Sequence, residues 1–183
     1  MSAIMKQYKA EAMEAKRQQL TEAAKDGGHG ARWINNRMQK RSAEIDAAAA
    51  AGEIESIDIG VEWVKSRTWG SNPTATARIR TTAGYASYKG HASGCGYDKE
   101  SAAIADALNQ SPAMVKALII ASDGGKLTRG NGFPYGARVG TWGANLSGGV
   151  GVESYRTLFE YMGYEWDRVA SGKSFDAYTI RKK

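Results

Sequence analysis

Ile57-Asp58-Ile59-Gly60-Val61-Glu62-Trp63-Val64 is the stretch that decides the fold. Ile57, Ile59, Val61 and Trp63 alternate with Asp58, Gly60, Glu62 and Val64. A period of two with one apolar side marks a strand that buries one face. Downstream, Asn72-Pro73 is a turn signal. From Thr74 to Thr82 the alternation returns, with Ala75, Ala77 and Ile79 on one side and Thr76, Arg78 and Arg80 on the other. Gly84 permits a tight turn, and Tyr85 to Ala92 reads as a third strand. These segments predict a three-stranded antiparallel meander.

Outward from the meander the pattern changes to helix. Residues 1–56 are rich in Ala, Glu, Lys, Arg and Gln, all good helix formers. They predict helices from Ala3 to Lys25 and from Ala31 to Ala51, broken by Gly27, Gly28 and Gly30. Their apolar faces are sparse: Met5, Tyr8 and Leu20 in the first, Ile34, Met38 and Ile45 in the second. After the meander, Gly94 and Gly96 end the sheet, and Asp98 is placed to cap a helix from Lys99 to Asn109. Ser111-Pro112 starts another helix, and Asp123-Gly124-Gly125 stops it. Residues 123–151 are glycine-rich, a length of connection that usually carries function. Tyr155, Leu158, Phe159 and Met162 then mark an amphipathic helix ending at Gly163. Tyr164 to Val169 and Phe175 to Ile180 predict a closing hairpin. The class is α+β: a helical N-terminal arm over 1–56, then a domain over 57–183 with α-β-β-β-α order, a further helix and a C-terminal β-hairpin.

The 183 residues are 42% hydrophobic, enough for a real core. No apolar run approaches the roughly 20 residues of a membrane helix. Lys6, Lys9 and Glu11 interrupt any signal-peptide core. A single cysteine, Cys95, excludes an internal disulfide and suits a reducing compartment. The expected location is therefore the cytoplasm. A formal charge of +6 favours nucleic acid, an anionic surface or an acidic protein as partner.

The catalytic inventory is poor. His29 and His91 are the two histidines, and His91 with Cys95 falls short of a zinc site, which wants about four ligands. Gly172-Lys173-Ser174 has the ending of a phosphate-binding loop, but Asp167 stands where that loop needs its first glycine, and a strand follows instead of a helix. Gly94-x-Gly96 lacks the rest of a dinucleotide fingerprint. No Asp or Glu stands in a recognisable catalytic frame. Binding without catalysis, metal or cofactor is the expectation.

The region for binding runs from Trp63 to Tyr97. It holds no Asp or Glu, and it interleaves Lys65, Arg67, Arg78, Arg80 and Lys89 with Trp63, Trp69, Tyr85, Tyr88, His91 and Tyr97. Arginine's planar fork pairs with phosphate oxygens, and aromatic rings stack on bases or fill pockets. Trp63 continues the apolar side and belongs to the core. Trp69 sits in a loop, a better position for contact. A second acid-free stretch, Gly124 to Val152, carries Lys126, Arg129 and Arg138. The candidate contacts are Arg67, Trp69, Arg78, Arg80, Lys89, Lys99 and Arg129.

Two resemblances bear on function. The order helix, three strands, helix, with the text Gly90-His91-Ala92-Ser93-Gly94-Cys95-Gly96-Tyr97-Asp98-Lys99-Glu100-Ser101-Ala102-Ala103, resembles the double-stranded RNA-binding domain. That family sets lysines at the start of its last helix against phosphates; here Lys99 matches, and Asp98 and Glu100 flank it. The stretches Trp63 to Pro73, Ser93 to Ser101 and Ser171 to Ile180 resemble small proteins of phages and mobile elements of gut bacteria, and within that circle the type II-A anti-CRISPR inhibitors of Cas9. The second resemblance implies a protein that binds Cas9 or the Cas9-guide RNA complex, with possible contact to double-stranded DNA or RNA, and blocks target capture or cleavage. A basic chain is unsuited to mimic DNA, so occlusion or bridging is the implied mode. The alternative is a general nucleic-acid-binding accessory protein of a phage or mobile element. A small enzyme and a structural phage protein stand behind these two. Sequence leaves the oligomeric state open.

Overall fold

The alternation around Ile57 extends both ways, so that β1 spans Ile54–Ser66 in a computed structural model that describes residues 1–66, 70–92, 99–121 and 152–183. The other strands are β2 (Gly70–Thr81), β3 (Gly84–His91), β4 (Tyr164–Ser171) and β5 (Phe175–Lys182). The described helices are α1 (Ala3–Gly27), α2 (Ala31–Ala50), α3 (Lys99–Asn109), α4 (Pro112–Ala121) and α5 (Val152–Tyr161). The class is α+β, and the order α2-β1-β2-β3-α3 contains the expected α-β-β-β-α run.

The meander does not stand alone. Among the described residues the sheet has five strands in the order β3-β2-β1-β5-β4, because the C-terminal hairpin pairs antiparallel with the free side of β1. Ile57 lies between Ile79 and Ile180, and Ile59 between Ala77 and Tyr178. All six of these partners and centres are buried. Full burial of an aliphatic side chain contributes roughly 1.5–3 kcal/mol. This row of isoleucines therefore fixes the register, since a slip of one residue would turn it to the other face.

One strand boundary differs from expectation. Asn72-Pro73 is not a turn: both residues lie in β2, opposite Val64 and Trp63. Pro73 is tolerated because β3 ends one position earlier, at the Thr74–His91 pair, so no neighbour there asks for an N–H. Trp63 turns its own N–H away from Pro73, to Ser174 O at 2.9 Å.

Helix α3 packs on β2 and β3 across the apolar face. Gly90 makes this possible: a Cβ there would lie 2.2 Å from Ala103 O and 2.3 Å from Ala107 N. Helix α5 packs on β4, with Phe159 edge-on to Tyr164 and Trp166. The expected glycine stop, Gly163, takes a left-handed φ of 79°.

Helices α1 and α2 form an antiparallel hairpin against α4. Ser2 caps α1 by accepting from the Met5 N–H at 3.3 Å, and Gly28 closes it with φ 63°. At the base, Met5, Tyr8, Ala12, Ile45 and Ala48 join the same core as Ile57 and Leu118. Farther out, Leu20, Ala24 and Met38 are buried too. No helix among the described residues is long and apolar enough to cross a membrane.

Candidate interaction surface

Period-two strands must show their other residues somewhere, and here α3 and α5 take one face only. The opposite face carries the polar half of each alternation. Cross-strand pairing arranges it in rows. One row runs Tyr85, Arg80, Ser56, Arg181, Glu165. The next runs Ser87, Arg78, Asp58, Thr179, Asp167. A third places Lys89 beside Thr76, Gly60 and Ala177. The fourth runs His91, Thr74, Glu62, Phe175.

Three of the seven expected contacts thus come together. Arg78, Arg80 and Lys89 lie on adjacent strands of this face, and all are exposed. Among the described residues their side chains enter no hydrogen bond or ion pair, so their charges are available. Lys99 is elsewhere: it is half-buried at the start of α3, and its ammonium donates to Asn72 Oδ1 at 3.1 Å. Asn72 is eight residues from Arg80 along β2, about 27 Å at the rise of a strand. Arg67, Trp69 and Arg129 lie outside the described residues, as do Cys95, the Asp98 cap and the glycine-rich 123–151 segment.

Sequence reading missed part of the surface. Arg181 and Phe175 join it only through the β1–β5 pairing, which no local pattern announces. Tyr85, 60% exposed, stands beside Arg80, and Val64 and Phe175 are exposed at 59% and 43%. The face is also two-signed. Strands β2 and β3 hold no acid, whereas β1 and β4 contribute Asp58, Glu62, Glu165 and Asp167.

The titratable cluster on the covered side is a closed set. Arg168 donates to Asp176, and Tyr178 donates to Glu100 in the first turn of α3. The hydrogen bond from Arg168 holds the Asp176 carboxyl below its ordinary range, against the opposing effect of burial. Burial first, then the bond to Glu100, pushes the Tyr178 hydroxyl up to about 12. Each of these four groups is bonded to another of the set. His91 has Thr74 Oγ1 3.3 Å from its ring Nδ1, and its backbone N–H donates to Asp106. Among the described residues no three His, Cys, Asp or Glu side chains gather as metal ligands do. The uncovered face carries cations, carboxylates, hydroxyls and aromatic edges.

No protein-family model, curated protein or solved structure matches this chain.

Proposed function

We propose that the chain acts by binding, through the acid-free β2–β3 half of its uncovered sheet face, and that it inhibits Cas9 by occupying it. The carrying observation is the placement of Arg78, Arg80 and Lys89 on adjacent strands, unpaired among the described residues, beside an exposed Tyr85. Unpaired arginines on a rigid sheet suit phosphate oxygens or carboxylates, and an aromatic ring adds stacking or apolar contact. A Cas9-guide RNA complex presents both kinds of acceptor, and its cleavage depends on a conformational step that a bound protein can obstruct. The choice of Cas9 rests on the resemblance of the Trp63–Pro73, Ser93–Ser101 and Ser171–Ile180 stretches to type II-A anti-CRISPR proteins. The two-signed face favours a protein-containing partner over bare duplex, because Asp58, Glu62, Glu165 and Asp167 would repel phosphates.

The alternative is a nucleic-acid-binding accessory protein of a phage or mobile element, favoured by the same cations. Pull-down with the Cas9-guide RNA complex and gel shift with duplex DNA and RNA, each over a salt series, separate the two. The inhibitor reading expects stoichiometric loss of cleavage and binding to Cas9 that survives moderate salt. Binding to duplex alone, fading steeply with salt as counterion release requires, overturns it.

A further inference from the structure

Strand β3 forms one outer edge of the sheet. Among the described residues its outward backbone groups are capped only at one end. Gln110 Nε2 donates to Lys89 O at 2.7 Å, and the His91 N–H donates to Asp106 Oδ2 at 2.9 Å. Since outward and inward pairs alternate along an antiparallel strand, Tyr85 and Ser87 also point their N–H and C=O groups away from β2. Among the described residues nothing pairs with them. The other outer edge is protected: β4 carries Glu165 and Asp167 and a bulge between Arg168 and Ala170.

Directly beside the open part of β3 lies a cavity of about 300 Å³, lined by Ile79, Ala83, Ala86, Tyr88, Pro112 and Ala113 among others, none of them charged. It sits on the helix-covered side, under Ala86 and Tyr88. On the other side the same edge borders Lys89, with Arg78 and Arg80 one strand away and no acid in β2 or β3. A strand laid along β3 would thus meet a neutral cavity with one set of side chains and a basic surface with the alternate set.

We propose that the β3 edge takes an extended peptide segment of a protein partner as a sixth strand, with an apolar side chain entering the cavity beside Ala86 and acidic side chains lying toward Lys89 and Arg78. Main-chain bonds to Tyr85 and Ser87 supply the pairing, and the cavity and cations supply the selectivity. This does not depend on Cas9 being the partner.

The test uses the full chain and two synthetic peptides, Glu-Leu-Glu-Leu-Glu and Lys-Leu-Lys-Leu-Lys, followed by fluorescence anisotropy. The acidic peptide binds at least ten-fold more tightly. Ser87→Pro removes an outward N–H without touching the ladder to β2 and weakens binding at least ten-fold. Ala86→Phe fills the cavity and does the same, which decides the matter if the proline variant fails to fold by circular dichroism. Equal affinity for the two peptides, no binding of either, or unchanged binding by Ala86→Phe overturns the proposal. Sedimentation of the unmodified chain covers the remaining occupant: a dimer lost in Ser87→Pro or Ala86→Phe assigns the edge to a second copy and also overturns it.

Discussion

Asp58 stands directly opposite Arg78 in the β1–β2 ladder, yet its carboxylate is engaged on the other side, accepting from Thr179 Oγ1 at 3.1 Å with Arg181 at 4.0 Å. Arg181 is itself tied to Thr179 through its Nε at 3.0 Å. The acid opposite Arg78 therefore serves β5, and Arg78 keeps its charge for a partner.

Replacing both Arg78 and Arg80 by Ala should lower partner affinity at least ten-fold while changing stability by less than about 0.5 kcal/mol each, as exposed positions do. Asp58→Asn should act in the opposite direction on a polyanion, strengthening binding by removing a repelling charge. Titration of each variant against the Cas9-guide RNA complex and against duplex, beside urea unfolding, checks both. For a nucleic acid partner, losing one phosphate contact lowers the salt slope by about 1. Unchanged affinity in the double variant would place the contact surface elsewhere.

How far the sequence discloses this arrangement depends on the range of the interaction. The α3 boundaries, Lys99 and Asn109, and the opposite facing of Ile79 and Arg78 follow from local periodicity, and both stand in the structure as read. The pairing of β5 with β1 joins residues more than a hundred positions apart, such as Ile57 and Ile180, and no local period encodes it. Arg181 entered the surface by that route. Gly90 shows the same divide: in sequence it is one residue of a strand, and only the approach of α3 makes its missing side chain necessary. Asn72-Pro73 was misleading because proline signals a missing N–H, which a turn and an unflanked strand end tolerate equally well.

Gly90→Ala should accordingly destabilise the fold by about 3 kcal/mol, since the new methyl meets helix backbone, which cannot rotate aside. Chemical denaturation measures it. A loss under about 1 kcal/mol would mean that α3 slides over β3 more freely than its contacts indicate.

Acid should unfold the chain partly through Asp176. Its carboxyl is held below the ordinary range, first by the hydrogen bond from Arg168, so the folded state keeps its proton off longer than the unfolded state does. The stabilisation is complete above the unfolded carboxylate value of about 3.9 and disappears as pH falls through the lower folded value. Asp176→Asn should reduce stability near neutral pH and flatten the decline below about pH 4, read as urea midpoints across pH. An acid limb as steep as that of the unmodified chain would assign the acid sensitivity to other carboxylates.

The helical hairpin invites a prediction of opposite sign. Lys16 on α1 is half-buried and feels Arg41 on α2, a residue only 4% exposed whose Nε has no hydrogen-bond partner among the described residues. Burial first, and the Arg41 charge second, lower the Lys16 pKa below 10.5, although Glu44 opposes this. The folded state then binds that proton less firmly than the unfolded chain, so stability should rise as pH climbs through the folded value and level off near the unfolded one. Lys16→Met keeps the length of the side chain and removes the like charge. It should raise the melting temperature by a few degrees near neutral pH and flatten the rise toward about pH 10, since cations beside a buried arginine cost more than a thioether of similar volume. A lower melting temperature in Lys16→Met would show that the ammonium's own contacts, including Gln19 Oε1 at 2.9 Å, outweigh the repulsion.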